Sequence, residues 1–223
     1  GTGWDNQAVV EQRISVLECP SDPQAGERSN AGGTWYPRRN QPRSSYLLAA
    51  GNGTDYSRNY GRYSSAYYQG MFGNNGSARI RDITDGTSST AAVGESWGGR
   101  HKCSSHYGPW GLSGVHTSVH GRVEGDTRNP NHPCWTTPGS CGWPAGTAWN
   151  RWAINAQWPQ GWCRNAANRE NISKAYAWQF NSGHAGGAQF LFADGSVHFL
   201  NESIDYFTFV LLNYIHDGRV ANL

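Results

Sequence analysis

Lysine is almost missing from this chain. Of its 18 basic residues only Lys102 and Lys174 are lysines, so positive charge rests on arginine, the side chain that makes planar paired contacts and stacks on rings. Long apolar runs are missing too. No stretch approaches the roughly 20 apolar residues of a membrane helix, which excludes a spanning helix within these 223 residues. There is no dense basic run, and the net charge is only +2, so a phosphate-tracking surface would have to be assembled from dispersed arginines and nucleic acid is excluded as the expected partner. No Cys-x-x-Cys pair, Gly-x-Ser-x-Gly elbow, phosphate-binding loop or dinucleotide fingerprint occurs. Without these, the residues offer no catalytic constellation, and an enzyme is not expected.

What is present is glycine and rings. The chain has 29 Gly and 10 Pro with a mean hydropathy of -0.69, so much of the backbone must run through turns and loops. Apolar mass comes from 11 Trp, 11 Tyr and 7 Phe. Tyr, Trp and Arg together, with little Lys, is the composition of contact surfaces between proteins. Its length suits one buried domain carrying a large insertion. The expected organisation is a single head domain over residues 1–223 with a Trp/Cys/His-rich insertion at 98–183.

Five cysteines occur: Cys19, Cys103, Cys134, Cys141 and Cys163. The last four lie within the insertion and are the disulfide candidates that would staple a loop-rich segment in an oxidising compartment. Disulfides fit this spacing better than zinc. Cys19 is left over, free or paired outside the chain. His116 and His120 have the i, i+4 spacing of a helical metal chelate. Gly114, Val115, Thr117, Val119 and Gly121 around them favour extended or loop backbone instead, so loop histidines are expected. Asp82, Asp85 and Thr87 offer hard oxygens to calcium in a tight loop, although turn capping accounts for them as well.

The C-terminal end is the most legible part. Residues 189–200 predict a hairpin about Asp194-Gly195, because Asp-Gly tolerates the positive φ angles of a two-residue turn. That turn pairs Phe192 with Val197, Leu191 with His198 and Phe190 with Phe199, and so places Phe190, Phe192, Val197 and Phe199 on one core face. Ile204, Phe207, Leu211, Tyr214 and Ile215 then fall at helical spacing, with Asn201 or Ser203 as N-cap and Gly218 as terminator. Residues 80–90 predict a short extended stretch that breaks at Asp85-Gly86. His184 and Asp194 are expected to hydrogen-bond across the base of the hairpin, a structural role. The fold class is α+β, with an antiparallel sheet, a C-terminal hairpin and a helix.

Three segments carry a resemblance. Cys19-Pro-Ser-Asp-Pro23, then Ile80-Arg-Asp-Ile-Thr-Asp-Gly-Thr-Ser-Ser-Thr90 with Val93-Gly-Glu95, then His184 nine residues ahead of Asp194-Gly195, together resemble a bacterial prepilin-like family of unknown function. Its signature residues here are His184, Asp194, Gly195, Asp85 and Gly86. The resemblance implies a pilin or pseudopilin-like head whose N-terminal apolar helix and cleavage signal are not among these residues. It further implies a non-catalytic, self-associating subunit of an extracellular fibre, pseudopilus or bacterial surface assembly. Copies of itself are then the expected partners, with a membrane reached only through that N-terminal helix. The alternative is a carbohydrate-binding module in which rings of the insertion stack on a polysaccharide. Some pseudopilin heads bind calcium; otherwise no cofactor is expected.

Overall fold

The computed structural model describes residues 6–31, 38–52, 59–62, 66–98, 109–111, 119–137, 139, 141, 146–158 and 175–221. In chain order the helices are α1 (Gln7–Val10) and α2 (Tyr206–Leu211). The strands are β1 (Arg28–Ala31), β2 (Arg38–Pro42), β3 (Tyr46–Ala49), β4 (Phe72–Gly73), β5 (Gly76–Ser77), β6 (Ala91–Glu95), β7 (His120–Gly121), β8 (Gly187–Phe192) and β9 (Val197–Asn201). The α+β class expected from the sequence is what the protein adopts.

A five-stranded sheet in the order β7-β3-β6-β8-β9 organises the molecule. Its pairs are antiparallel except β3 with β7. Strand β8 alternates as a half-buried strand should: Ala188, Phe190 and Phe192 are buried, and Gln189 and Leu191 face out. Beneath it the core gathers Phe180, Phe190, Phe209, Leu212 and Tyr214, with Trp152 and Trp158 from the insertion. Two strand glycines make room for the ring of Phe180. A Cβ on Gly94 would lie 2.6 Å from the Phe180 ring and 2.4 Å from that of Phe190, and one on Gly121 would lie 2.1 Å from Phe180.

The hairpin forms, but its register is one residue away from the expected one. Leu191 pairs with Val197, Phe190 with His198 and Gln189 with Phe199. The cause is a turn of three residues rather than two. Phe192 N–H donates to the Ser196 carbonyl at 2.8 Å, Gly195 N–H donates to the Phe192 carbonyl at 3.0 Å, and Gly195 takes φ 91°, as three-residue hairpins with a left-handed glycine do. The Asp194 carboxylate accepts from both the N–H and the hydroxyl of Ser196. A slip of one residue turns a strand over. Val197 and Phe199 therefore leave the core face and stand 63% and 45% exposed.

Two further expectations are corrected. Helix α2 is shorter than its apolar spacing suggests and is capped by Asp205, whose carboxylate accepts the Thr208 N–H at 2.9 Å. Asn201 instead accepts from Ser203 in the turn before it. Ile204 and Phe207 remain packed against the core, and Gly218 takes positive φ. Residues 80–90 are not extended. They form 3-10 turns at Ile80–Asp82 and Thr87–Ser89 that deliver the chain into β6.

Within residues 98–183, the described part is held by packing and hydrogen bonds. Trp135, Trp149, Trp152, Trp158 and Trp178 are buried. Glu124 accepts from Trp152 Nε1 at 3.1 Å and from Arg122 at 3.1 Å, while Tyr206 and Tyr214 donate to the carbonyls of Glu124 and Gly125. A disulfide joins Cys134 to Cys141. The other two candidates, Cys103 and Cys163, lie outside the described residues.

Candidate functional site

The three segments that carry the resemblance meet at one place. Glu95 ends β6 with its side chain directed out of the core face, since Gly94 beside it occupies that face. Its carboxylate is buried, only 6% exposed. Oε2 accepts the Gln189 N–H of β8 at 2.8 Å, which fixes the plane of the carboxylate and aims Oε1 at two other groups. His184 Nε2 lies 3.1 Å from Oε1, and Cys19 Sγ lies 3.8 Å from it. The sulfur, the carboxylate oxygen and the imidazole nitrogen all fall within 4.8 Å of one another.

Each member is positioned by its own segment. Cys19 sits on the loop that closes over the end of the sheet, and the Asp22 of that loop is buried. Asp22 accepts from Ser45 Oγ at 3.0 Å, from the Gln24 N–H at 2.9 Å and from the Gly98 N–H at 3.4 Å. One carboxylate thus ties the Cys19 loop to the entry of β3 and the exit of β6. His184 stands in the turn before β8, where its N–H donates to Ser182 Oγ at 3.0 Å. A cavity of about 10 Å³ adjoins the cluster, lined by Cys19, Ser21, Asp22, Glu95, Trp97 and His184 among others. Burial pushes the Tyr46 hydroxyl above its ordinary range, and neighbouring Cys19 and Glu95 add to the rise.

His184 and Asp194 do not form the expected hydrogen bond. They stand at opposite ends of β8, whose six residues span about 20 Å; His184 meets Glu95, and Asp194 meets Ser196. Gly195 supplies the turn. Asp85 is buried and its carboxylate accepts from the Asp217 N–H at 2.8 Å and the Gly218 N–H at 3.1 Å, so this signature residue pins the chain after α2. Gly86 next to it takes φ 100°. Burial raises the Asp217 carboxyl above its usual range, and Asp85 adds to it. Asp82, the other carboxylate offered for calcium, instead accepts the Arg79 N–H at 2.9 Å within its own turn, and Thr87 opens the following one.

His120 is buried in β7, while His116 lies outside the described residues. A second group of donor atoms, those of His132, Cys134 and Cys141, also falls within 4.8 Å. Its sulfurs form the disulfide, and His132 Nδ1 accepts the Cys134 N–H at 3.2 Å.

The sequence held Cys19, Asp22 and Glu95 in plain view inside quoted segments, but gave none of them a role. Their convergence is tertiary, since 76 residues separate Cys19 from Glu95 and 89 separate Glu95 from His184. Residues 2–206 match a protein family described as "Protein of unknown function (DUF1559)". No curated protein matches the chain, and no solved structure does.

Proposed function

The chain belongs to that family, DUF1559, and on this premise we propose that it is the extracellular head of a non-catalytic, self-associating structural subunit of a pilus-like fibre, pseudopilus or surface assembly. One observation carries the reading: on the outer face of the sheet an apolar row crosses four strands and becomes exposed toward β9. Leu48 pairs with Val93, Val93 with Leu191 and Leu191 with Val197, so these four side chains cross four strands side by side. Leu191 is 38% and Val197 63% exposed, and Phe199 is 45% exposed nearby. A contiguous exposed apolar patch on a sheet face invites contact with another chain. A second copy is the occupant proposed here.

The signature segments support the same reading. Asp85, Asp194 and Asp22 cap turns and tie loops, and the cavity beside Cys19, Glu95 and His184 is about 10 Å³, room for a water rather than for an organic substrate. The polysaccharide reading draws no support from Trp135, Trp149, Trp152, Trp158 or Trp178, because the rings are buried in the core and do not line an open groove.

Light scattering across a concentration series tests the proposal. The wild-type chain is expected to self-associate, and Val197→Lys with Phe199→Lys to remain monomeric at unchanged thermal stability. A wild-type chain that stays monomeric at millimolar concentration, or variants that associate as strongly, would overturn it.

A further inference from the structure

We propose that Cys19, Glu95 and His184 form a binding site for a single zinc ion. This inference stands independently of self-association.

All three donors are among the side chains zinc prefers. Thiolate sulfur, imidazole nitrogen and carboxylate oxygen bind it at about 2.3, 2.0–2.1 and 2.0–2.2 Å, in tetrahedral geometry. Those lengths place the donor atoms about 3.4–3.6 Å from one another. The observed separations are 3.1 Å between His184 Nε2 and Glu95 Oε1 and 3.8 Å between Cys19 Sγ and Glu95 Oε1, with the third pair inside 4.8 Å. Bringing the donors to those separations asks movements of a few tenths of an ångström to about one ångström.

Support behind the donors matches that of metal ligands. A ligating carboxylate is oriented by its second oxygen, and here Glu95 Oε2 is held by the Gln189 N–H at 2.8 Å. Asp22, with its three acceptor contacts, anchors the loop that presents Cys19. A fourth ligand has a place as well: the adjoining cavity of about 10 Å³ is about the space needed for one water. Three protein ligands and a water complete a tetrahedron.

The zinc site also gives Cys19 chemistry that disulfide pairing does not. Cys19 is a free, partly buried thiol facing a carboxylate. A divalent cation between them would bind the deprotonated sulfur and the carboxylate together. The ion would bridge the Cys19 loop, the end of β6 and the turn before β8, clasping the three segments.

The test uses the whole chain under a non-thiol reductant. Zinc content is measured after dialysis, and cobalt(II) is titrated as a spectroscopic substitute. One ion per chain is expected, with a sulfur-to-cobalt charge-transfer band that Cys19→Ser abolishes, and at least tenfold weaker binding in His184→Gln. Metal held instead by His132, Cys134 and Cys141 would be unmoved by Cys19→Ser, and would overturn the assignment. A second readout needs no variant: zinc is expected to slow alkylation of Cys19 at least tenfold, located by peptide mass spectrometry, whereas calcium has no effect. Unchanged alkylation, no stoichiometric zinc, or a Cys19 found disulfide-linked to a second copy after purification without reductant would each overturn the proposal.

Discussion

Glu95 Oε1 lies 3.1 Å from His184 Nε2, although 89 residues separate them in the chain. The contact joins the end of a central strand to the turn that launches the C-terminal hairpin. Because the other oxygen of Glu95 holds the Gln189 N–H, this one buried carboxylate serves both the cluster and the sheet.

Glu95→Ala is accordingly expected to lower unfolding free energy by about 1–3 kcal/mol, the cost of leaving a buried N–H without its acceptor. Glu95→Gln keeps an amide oxygen for Gln189 and should lose less. Urea denaturation of the two variants in metal-free buffer checks this order, and equal losses would show that the Gln189 contact is not what Glu95 contributes.

Gly94 and Gly195 should fail for different reasons. Gly195 sits at φ 91° with open space around its missing Cβ, so Gly195→Ala costs only the left-handed backbone penalty, about 1–2 kcal/mol. A Cβ at Gly94 would meet the rings of Phe180 and Phe190 at 2.6 and 2.4 Å, so Gly94→Ala costs about 1–3 kcal/mol of overpacking. Only the second should be relieved by a smaller ring neighbour. A double-mutant cycle with Phe190→Leu is expected to show coupling for Gly94→Ala and none for Gly195→Ala.

Acid should weaken the fold through His120. Burial holds its imidazole at about 4, below the ordinary 6.5. The unfolded chain binds a proton below pH 6.5 while the folded chain does not until about pH 4, so stability is full above 6.5 and falls as pH drops through that window. The slope from this group is about 1.4 kcal/mol per pH unit, about 3 kcal/mol in all. Thermal unfolding of His120→Gln against wild type isolates it: the difference between them should shrink or reverse from pH 7 to pH 4.5, and a constant difference would contradict the buried neutral imidazole.

The hairpin shows where reading a sequence stops. Asp194-Gly195 marked the turn and the apolar residues marked both strands, because turn chemistry and β propensity are local. Whether the turn held two residues or three was not decided by those preferences. It depends on Asp194 accepting from Ser196 rather than adopting positive φ itself, and that single residue of slip decided that Val197 and Phe199 face outward.

By itself, then, the sequence determined the α+β class, the hairpin, the apolar segment of α2 and the three segments that carry the family resemblance. Each is written in residue type over short spans, where backbone preference and periodicity act directly. Only the tertiary structure decided that Cys19, Glu95 and His184 come together, that Asp85 pins residues 217 and 218, and that Leu191, Val197 and Phe199 stand exposed on one sheet face. These are contacts between residues tens of positions apart, and strand order and register, set by packing against a common core, are what bring such residues together.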